Sequence, residues 1–305
     1  MIKGFKITFC GLAVIVALAT CRQQPAPQRA KGEDTFVTGK AQFLADESFK
    51  PILEQEAYVF KALYQEAKPE FIYKSENDLL RLFLNDSIRV AIMSRDLKPN
   101  ELQILKNRNL APQVNRFAID AIVLIVNQNS ADTLITVNQI KQTLNGKINA
   151  DKNIVFDNPN SSLVRYLKDF SGNELKQSNV YALKSNKDVI RYVSEHPNSI
   201  GIVGFSWLDD PDKDYADAVN KVKVVGVRDE NNDKAPTEYF KPSQETLALK
   251  QYPLSRGLYI LDSSGKMGLA AGFAAFLKSD KGQRIILKSG LLPDSIPQRE
   301  MILKK

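Results

Sequence analysis

Two adjacent hydroxyls, Ser161 and Ser162, stand between a short apolar run, Ile154-Val155-Phe156, and a segment carrying Leu163, Val164, Leu167 and Phe170 at helical spacing. The spacing predicts a strand that passes through Asp157-Asn158-Pro159-Asn160 into the mouth of a helix. A helix N-terminus presents backbone N–H groups without intrahelical partners and a partial positive charge. Two hydroxyls added there make a place that can hold an anion. The same serines also serve as plain N-caps, and Asp157 and Asn158 as turn formers. Three other stretches repeat the device. Asp46-Glu47-Ser48 precedes Phe49, Ile52, Leu53, Phe60, Leu63 and Tyr64 on one helical face, and Ser75-Glu76-Asn77 precedes Leu79, Leu80, Leu82 and Phe83. Ser94-Arg95-Asp96-Leu97 ends the apolar run that begins at Ile88, and a guanidinium such as that of Arg95 can grip two oxygens of an oxyanion at once. Arg165 lies on the first turn of its predicted helix, where a cation opposes the dipole; it is either in water or beside an anion.

Other chemistries are poorly provided for. Both cysteines, Cys10 and Cys21, lie at the N-terminus, so the body of the chain has neither a disulfide nor a cysteine site. The single histidine, His196, precludes a histidine metal cluster, and its setting in Ser194-Glu195-His196-Pro197 reads as a turn and not as part of a catalytic triad. Ser263-Ser264-Gly265-Lys266 has the form Ser-x-x-Lys of penicillin-recognising hydrolases, with Lys288-Ser289-Gly290 and Ser75-Glu76-Asn77 as echoes of their other elements. The order is wrong, since Ser75-Glu76-Asn77 comes first. We therefore expect no catalytic residue, no metal and no cofactor. The net charge is +7, with Lys and Arg scattered and not gathered into a stripe, which argues against nucleic acid and suits a small anionic ligand.

The chain has 305 residues, 43% of them hydrophobic and 25% charged, enough for about two domains with real cores. Lys3 and Lys6 precede the apolar run Ile7–Ala19, which has the length of a secretory h-region and is short for a membrane span. Residues 1–20 are read as a signal peptide. The run ends Leu18-Ala19-Thr20-Cys21, similar to a bacterial lipobox, which implies lipidation of Cys21 as the first mature residue. The Pro-containing polar stretch 21–35 reads as a flexible tether.

Beyond it, strands and helices alternate, which argues for a largely parallel sheet covered by helices. "VNRFAIDAIVLIVNQ" (114–128) and "YPLSRGLYILD" (252–262) are long extended segments, each able to pass from one domain into another. "KVKVVGV" (221–227) reads as one strand and 228–251 as a long irregular loop. "MGLAAGFAAFLKS" and "GQRIILKSG" read as closing helices, the second ended by Gly290.

Tyr252, Pro253, Arg256 and Tyr259, followed by Phe276-Leu277, Ser279, Gly282-Gln283, Gly290 and Pro293, resemble the C-terminal signature of bacterial phosphate-binding proteins of ABC transporters. "SIGIVGFSWL", "AIDAIVLIVN", "GKI" at 146–148 and "MSRDLKPNEL" resemble further segments of that family in the same order, and the likeness runs from about Phe36 onward. The resemblance implies an α/β periplasmic binding protein type II fold: two α/β lobes joined by two crossing segments, with the ligand in the cleft between them. It puts lobe 1 at 36–119 plus 257–305 and lobe 2 at 120–256. It implies an extracytoplasmic lipoprotein on the periplasmic side of a membrane, a monomer without catalysis, that captures inorganic phosphate or a similar oxyanion for an ABC permease. The ligand contacts it implies are Ser48, Ser94, Arg95, Ser161 and Ser162.

The helix mouths depart from the family's. Ser162 stands where the family has Gly, Leu163 where it has Thr, and the first two mouths carry Asp46, Glu47 and Glu76. One carboxylate in such a site can accept the proton of hydrogen phosphate and so reject sulfate. Several carboxylates lining the cleft would instead turn the fold to a non-phosphate ligand or a protein partner.

Overall fold

The computed structural model describes residues 34–148, 151–172, 174–175 and 178–296. The signal peptide, Cys21 and most of the tether lie outside these residues. None of the described helices is long and apolar enough to cross a membrane.

The first half of the fold begins with β1 (Gly39–Asp46), a 3-10 turn (Glu47–Phe49) and α1 (Lys50–Leu63). β2 (Ala67–Lys74), α2 (Glu76–Leu84), β3 (Val90–Met93) and α3 (Pro99–Lys106) follow. β1 pairs in parallel with β2 and β3. Strand periodicity sends alternate residues of β1 to opposite faces. Phe43 and Ala45 enter one apolar cluster with Phe49, Phe60 and Phe273, and Leu44 enters another with Leu79, Phe83 and Leu105.

β4 (Gln113–Asn127) then runs for 15 residues, far beyond an ordinary strand. The second half adds β5 (Leu134–Thr136), α4 (Val137–Leu144), β6 (Asn153–Phe156), α5 (Ser162–Ser171) and β7 (Val180–Ala182). It continues with α6 (Asn186–Glu195), β8 (Ser199–Gly204), α7 (Ser206–Asp209) and α8 (Ala216–Val219). β9 (Val222–Val224), β10 (Gly226–Arg228) and α9 (Gln244–Ala248) complete it. β6 pairs in parallel with β7 and β8. The chain returns through β11 (Ser255–Asp262) and closes with α10 (Leu269–Lys278), α11 (Asp280–Lys288) and β12 (Leu292–Pro293).

The strand order is β2-β1-β3-β11-β4-β8-β6-β7, with β9 and β12 also on β4. Up to Ala121, β4 pairs antiparallel with β11; from Ile122 it pairs antiparallel with β8. The sheet is thus parallel within each half and antiparallel where the halves join. Its second crossing segment is the run into β11: Tyr252 and Leu254 pack in the core of the second half, Leu258 and Ile260 in that of the first.

Three sequence expectations need correction. Residues 221–227 form two strands, because β9 pairs with β4 while β10 leaves to pair with β5. The stretch 228–251 contains α9, capped by Ser243. Asp34, assigned to the tether, accepts the backbone N–H of Leu269 at 2.8 Å and so belongs to the folded body. Gly290 does sit past the end of α11, with φ +77, the left-handed conformation for which glycine is suited.

Candidate functional site

The carboxyl ends of the parallel strands in both halves feed directly into helix N-termini, where ligands of open α/β sheets gather. In the first half, β1 ends at Asp46, whose Oδ1 accepts the N–H of Ser48 at 2.9 Å and caps the 3-10 turn leading into α1. Ser48 is fully buried and its Oγ has no hydrogen-bond partner. β2 ends next to Ser75, which caps α2, and Glu76 follows as the first residue of that helix, 1% exposed. β3 ends at Met93, and Ser94 and Arg95 follow it.

In the second half β6 ends at Phe156, and Asp157 follows it. Ser161 caps α5 by accepting the N–H of Val164 at 3.2 Å, and donates to Asp157 Oδ1 at 2.5 Å. Asp157 Oδ2 accepts from Asn186 Nδ2 at 3.0 Å, and Asn186 Oδ1 accepts the N–H of Gly204 at the end of β8. Removing Ser161 Oγ strips both the cap and one of this carboxylate's two side-chain partners. Ser161→Ala is expected to cost about 1–2 kcal/mol in urea unfolding. A change below about 0.3 kcal/mol would mean that α5 is not held by this cap.

The two halves meet on Arg256. It lies on β11 directly opposite Asp120 of β4, so the two side chains are cross-strand neighbours. Its Nε and Nη2 donate to Asp120 Oδ2 at 3.0 and 2.9 Å, and its Nη1 donates to Ser162 Oγ at 2.8 Å. Its guanidinium lies 4.7 Å from the centre of the Phe49 ring, a cation–π contact with the first half. Gly204 lies close beside this pair: a Cβ there would come within 3.3 Å of Arg256 Nη2.

The five sequence-assigned contacts occupy distinct settings. Ser48, Ser94, Ser161 and Ser162 are all buried at strand-to-helix junctions. Ser162 bonds to Arg256, Ser161 to Asp157, and Ser94 Oγ donates to Glu76 Oε2 at 2.9 Å. Arg95 is engaged within the protein. Its Nη1 and Nη2 grip Glu101 at 2.7 and 2.8 Å, and its Nε reaches Glu76 Oε1 at 3.4 Å. Of the two settings open to Arg165, water or an anion, the structure shows the second. Arg165 crosses from α5 to both oxygens of Glu76 and to Ser94 Oγ, the last at 2.7 Å.

Asp46 and Glu76 are buried at their helix mouths, and Glu47 is partly buried. Burial pushes the Asp46 carboxyl above its ordinary range, with the Glu76 charge adding to the rise and Arg256 opposing it. Burial likewise pushes Asp157 up to about 7. Burial and the neighbouring Asp46 raise Glu47. The site is a buried mixture of hydroxyls, carboxylates and guanidinia. A separate groove of about 810 Å³ opens between α1 and the α7 region, lined by Lys50, Tyr58, Lys187, Trp207, Asp210 and Tyr215. Trp207, one of its lining residues, donates Nε1–H to the carbonyl of Ser48 at 2.9 Å.

Sequence reasoning missed Arg256, Asp120 and Asn186 as members of this cluster. Arg256 entered only as part of a signature. The signal for the pair was an acid inside the apolar run 117–126 and a base inside the second crossing segment, two charges that burial obliges to find each other.

This chain belongs to the PBP superfamily, whose domain model matches residues 30–281. It is 27% identical over 217 residues to the phosphate-binding protein PstS of Staphylococcus aureus (strain USA300). That match covers 66% of this chain and 62% of the relative, so the chain spans about three fifths of that protein's length. A substrate-binding protein from Clostridium perfringens solved with bound phosphate superposes with a TM-score of 0.70 at 21% identity, over 84% of this chain and 100% of that one. An ABC-type phosphate transport receptor from Vibrio cholerae superposes with a TM-score of 0.62 at 19% identity, over 83% and 99%. These likenesses establish the type of fold expected from the sequence.

Proposed function

We propose that this protein is a non-catalytic, extracytoplasmic solute-binding protein that captures inorganic phosphate or a similar oxyanion and delivers it to an ABC permease. Lobe 1 is 36–119 plus 257–305 and lobe 2 is 120–256, with the hinge at the two crossing segments. The anchor is a lipid on Cys21, on the periplasmic side of a membrane, and the working form is a monomer. The observation that carries the reading is the convergence of helix mouths from both halves on one buried arginine, beside a buried hydroxyl, Ser48 Oγ, that has no partner. An unpaired buried hydroxyl costs free energy that a ligand oxygen recovers. The relatives named as phosphate binders support the choice of solute. Ser48, Ser94, Arg95, Ser161 and Ser162 are the assigned ligand contacts, with Arg256 added to them.

Isothermal titration with phosphate and with sulfate, after unfolding and refolding to strip carried-over ligand, tests this. Phosphate is expected to bind and sulfate not, because a carboxylate at the helix mouths, such as Asp46, can accept the proton that hydrogen phosphate carries and sulfate lacks. Ser48→Ala is expected to weaken phosphate about tenfold, the worth of one hydrogen bond to a charged group. Absence of binding by either anion would overturn the oxyanion assignment. One observation favours a second reading, in which the fold serves another ligand or a protein partner: the cleft already contains a carboxylate, Glu76, engaged with Ser94, Arg95 and Arg165.

A further inference from the structure

We propose that Glu76 is a built-in anion that holds the two halves together in the absence of solute, and that a solute enters only by taking Arg165 and Ser94 away from it. For its ligand this inference rests on the oxyanion reading above; the closure it describes does not.

The geometry assigns the role. A carboxylate that is 1% exposed must be compensated, and Glu76 finds its compensation on both sides of the cleft. From its own half come Ser94 Oγ, donating to Oε2 at 2.9 Å, and Arg95 Nε, 3.4 Å from Oε1. From the other half comes Arg165, whose Nε donates to Oε1 and whose Nη2 lies 3.3 Å from Oε2 and 2.7 Å from Ser94 Oγ. The link continues as a run of alternating charges, Glu101–Arg95–Glu76–Arg165–Asp169. Beside it the N–H of Asn77 donates to the carbonyl of Asn160 at 3.3 Å, a second bond between the same two helix mouths. Charge-assisted bonds of this kind are about twice as strong as neutral ones.

The arrangement also sets which anions can compete. Glu76 offers two oxygens, and leaves Ser48 Oγ without a partner. A tetrahedral oxyanion offers four, enough to engage Arg165 and Ser94 and still reach a hydroxyl on another helix mouth. Arg95 Nε, 3.4 Å from Glu76 Oε1, leaves that carboxylate one cationic partner when Arg165 turns to the solute, and contact of the Arg95 Nη atoms with the solute does not remove it. An anion with one or two oxygens makes no more bonds than Glu76 does and gains nothing by replacing it.

Small-angle scattering and phosphate titration on the purified protein test the inference together, with Glu76→Ala and Arg165→Ala as separate variants. The wild type is expected to be equally compact with and without phosphate. Both variants are expected to expand in its absence, and Glu76→Ala to become compact again on adding phosphate and to bind it about tenfold more tightly than the wild type. Variants that stay compact without phosphate overturn the inference, and so does a Glu76→Ala protein that binds phosphate more weakly. If both variants expand but neither the wild type nor Glu76→Ala binds phosphate, the clasp stands and the oxyanion reading falls. If the wild type binds phosphate while the variants remain compact, the reverse holds. Agreement between two variants on opposite sides of the cleft separates opening from a folding defect in either.

Discussion

Arg256→Met is expected to destabilise the protein by about 3–5 kcal/mol, because it leaves the Asp120 charge buried and unpaired. Asp120 is fully buried, and Arg256 supplies both hydrogen bonds to its Oδ2; the other oxygen, Oδ1, has no partner. Few positions could be worse for a lone charge, since the two residues face each other across the antiparallel crossing strands where the cores of the two halves meet. The control is the double variant Arg256→Met with Asp120→Asn, in which no charge is stranded. It is expected to recover most of the loss, since replacing both members of a buried pair is often close to neutral. Urea unfolding followed by Trp207 fluorescence measures both. Trp207 is the only tryptophan, and it bonds across the junction to Ser48, so it reports on this part of the molecule. A single-variant loss below about 1 kcal/mol would show that Asp120 is held by something other than Arg256.

The same substitution removes the donor to Ser162 and the cation over Phe49. Arg256 thus joins a stability role to a proposed binding role. The double variant separates them: a refolded, stable protein that has lost phosphate affinity would assign the loss to the missing guanidinium and not to a collapsed hinge.

Wild-type stability is expected to fall between about pH 4.5 and pH 9, and Glu56, added to the raised carboxyls of Asp46 and Asp157, is expected to carry the part of the fall that extends furthest toward pH 9. Glu56 lies on the buried face of α1 with Ile52, Leu53, Ala57 and Phe60, and both of its carboxyl oxygens lack a hydrogen-bond partner. Burial pushes its carboxyl up to about 9. A group raised in the folded state binds its proton more tightly there than in the unfolded chain. Its contribution is therefore complete below the unfolded value of 4.5 and is lost as pH climbs toward 9. The share of the slope that Glu56 contributes in that window is at most about 1.4 kcal/mol per pH unit. Glu56→Leu, of similar size, is expected to flatten the curve and to be more stable than the wild type at pH 8 by several kcal/mol, on the order of the slope times the pH interval. Urea unfolding at pH 5, 6, 7 and 8 checks this. Parallel curves for wild type and Glu56→Leu would show that the carboxyl is reached by water or paired in solution.

Glu56 marks one limit of reading a sequence. In "PILEQEAYVFKAL" it stands among the apolar positions of the helix at helical spacing, and only the packing over that face reveals that it points inward. Glu54, two residues away, is exposed. The charge is the same at both positions, and burial alone separates their behaviour.

Local chemistry determined a good deal unaided. Ser75 and Ser161 cap helices where the sequence puts them, Pro99 opens α3, and the 15-residue apolar run forms the strand that crosses between the halves. Capping, proline geometry and hydrophobic period act over a few residues, so they are written locally. Tertiary structure alone decided the partners. By sequence Arg95 can clamp an oxyanion or pair with an acid, and it is gripped by Glu101 and Glu76; Arg165 can face water or an anion, and it crosses between the halves to Glu76; Arg256 and Asp120 meet from residues 136 apart. A buried charge must be compensated, but the sequence does not say by which of many residues. That choice depends on which strands become neighbours, and the strand order is settled by the packing of both cores together.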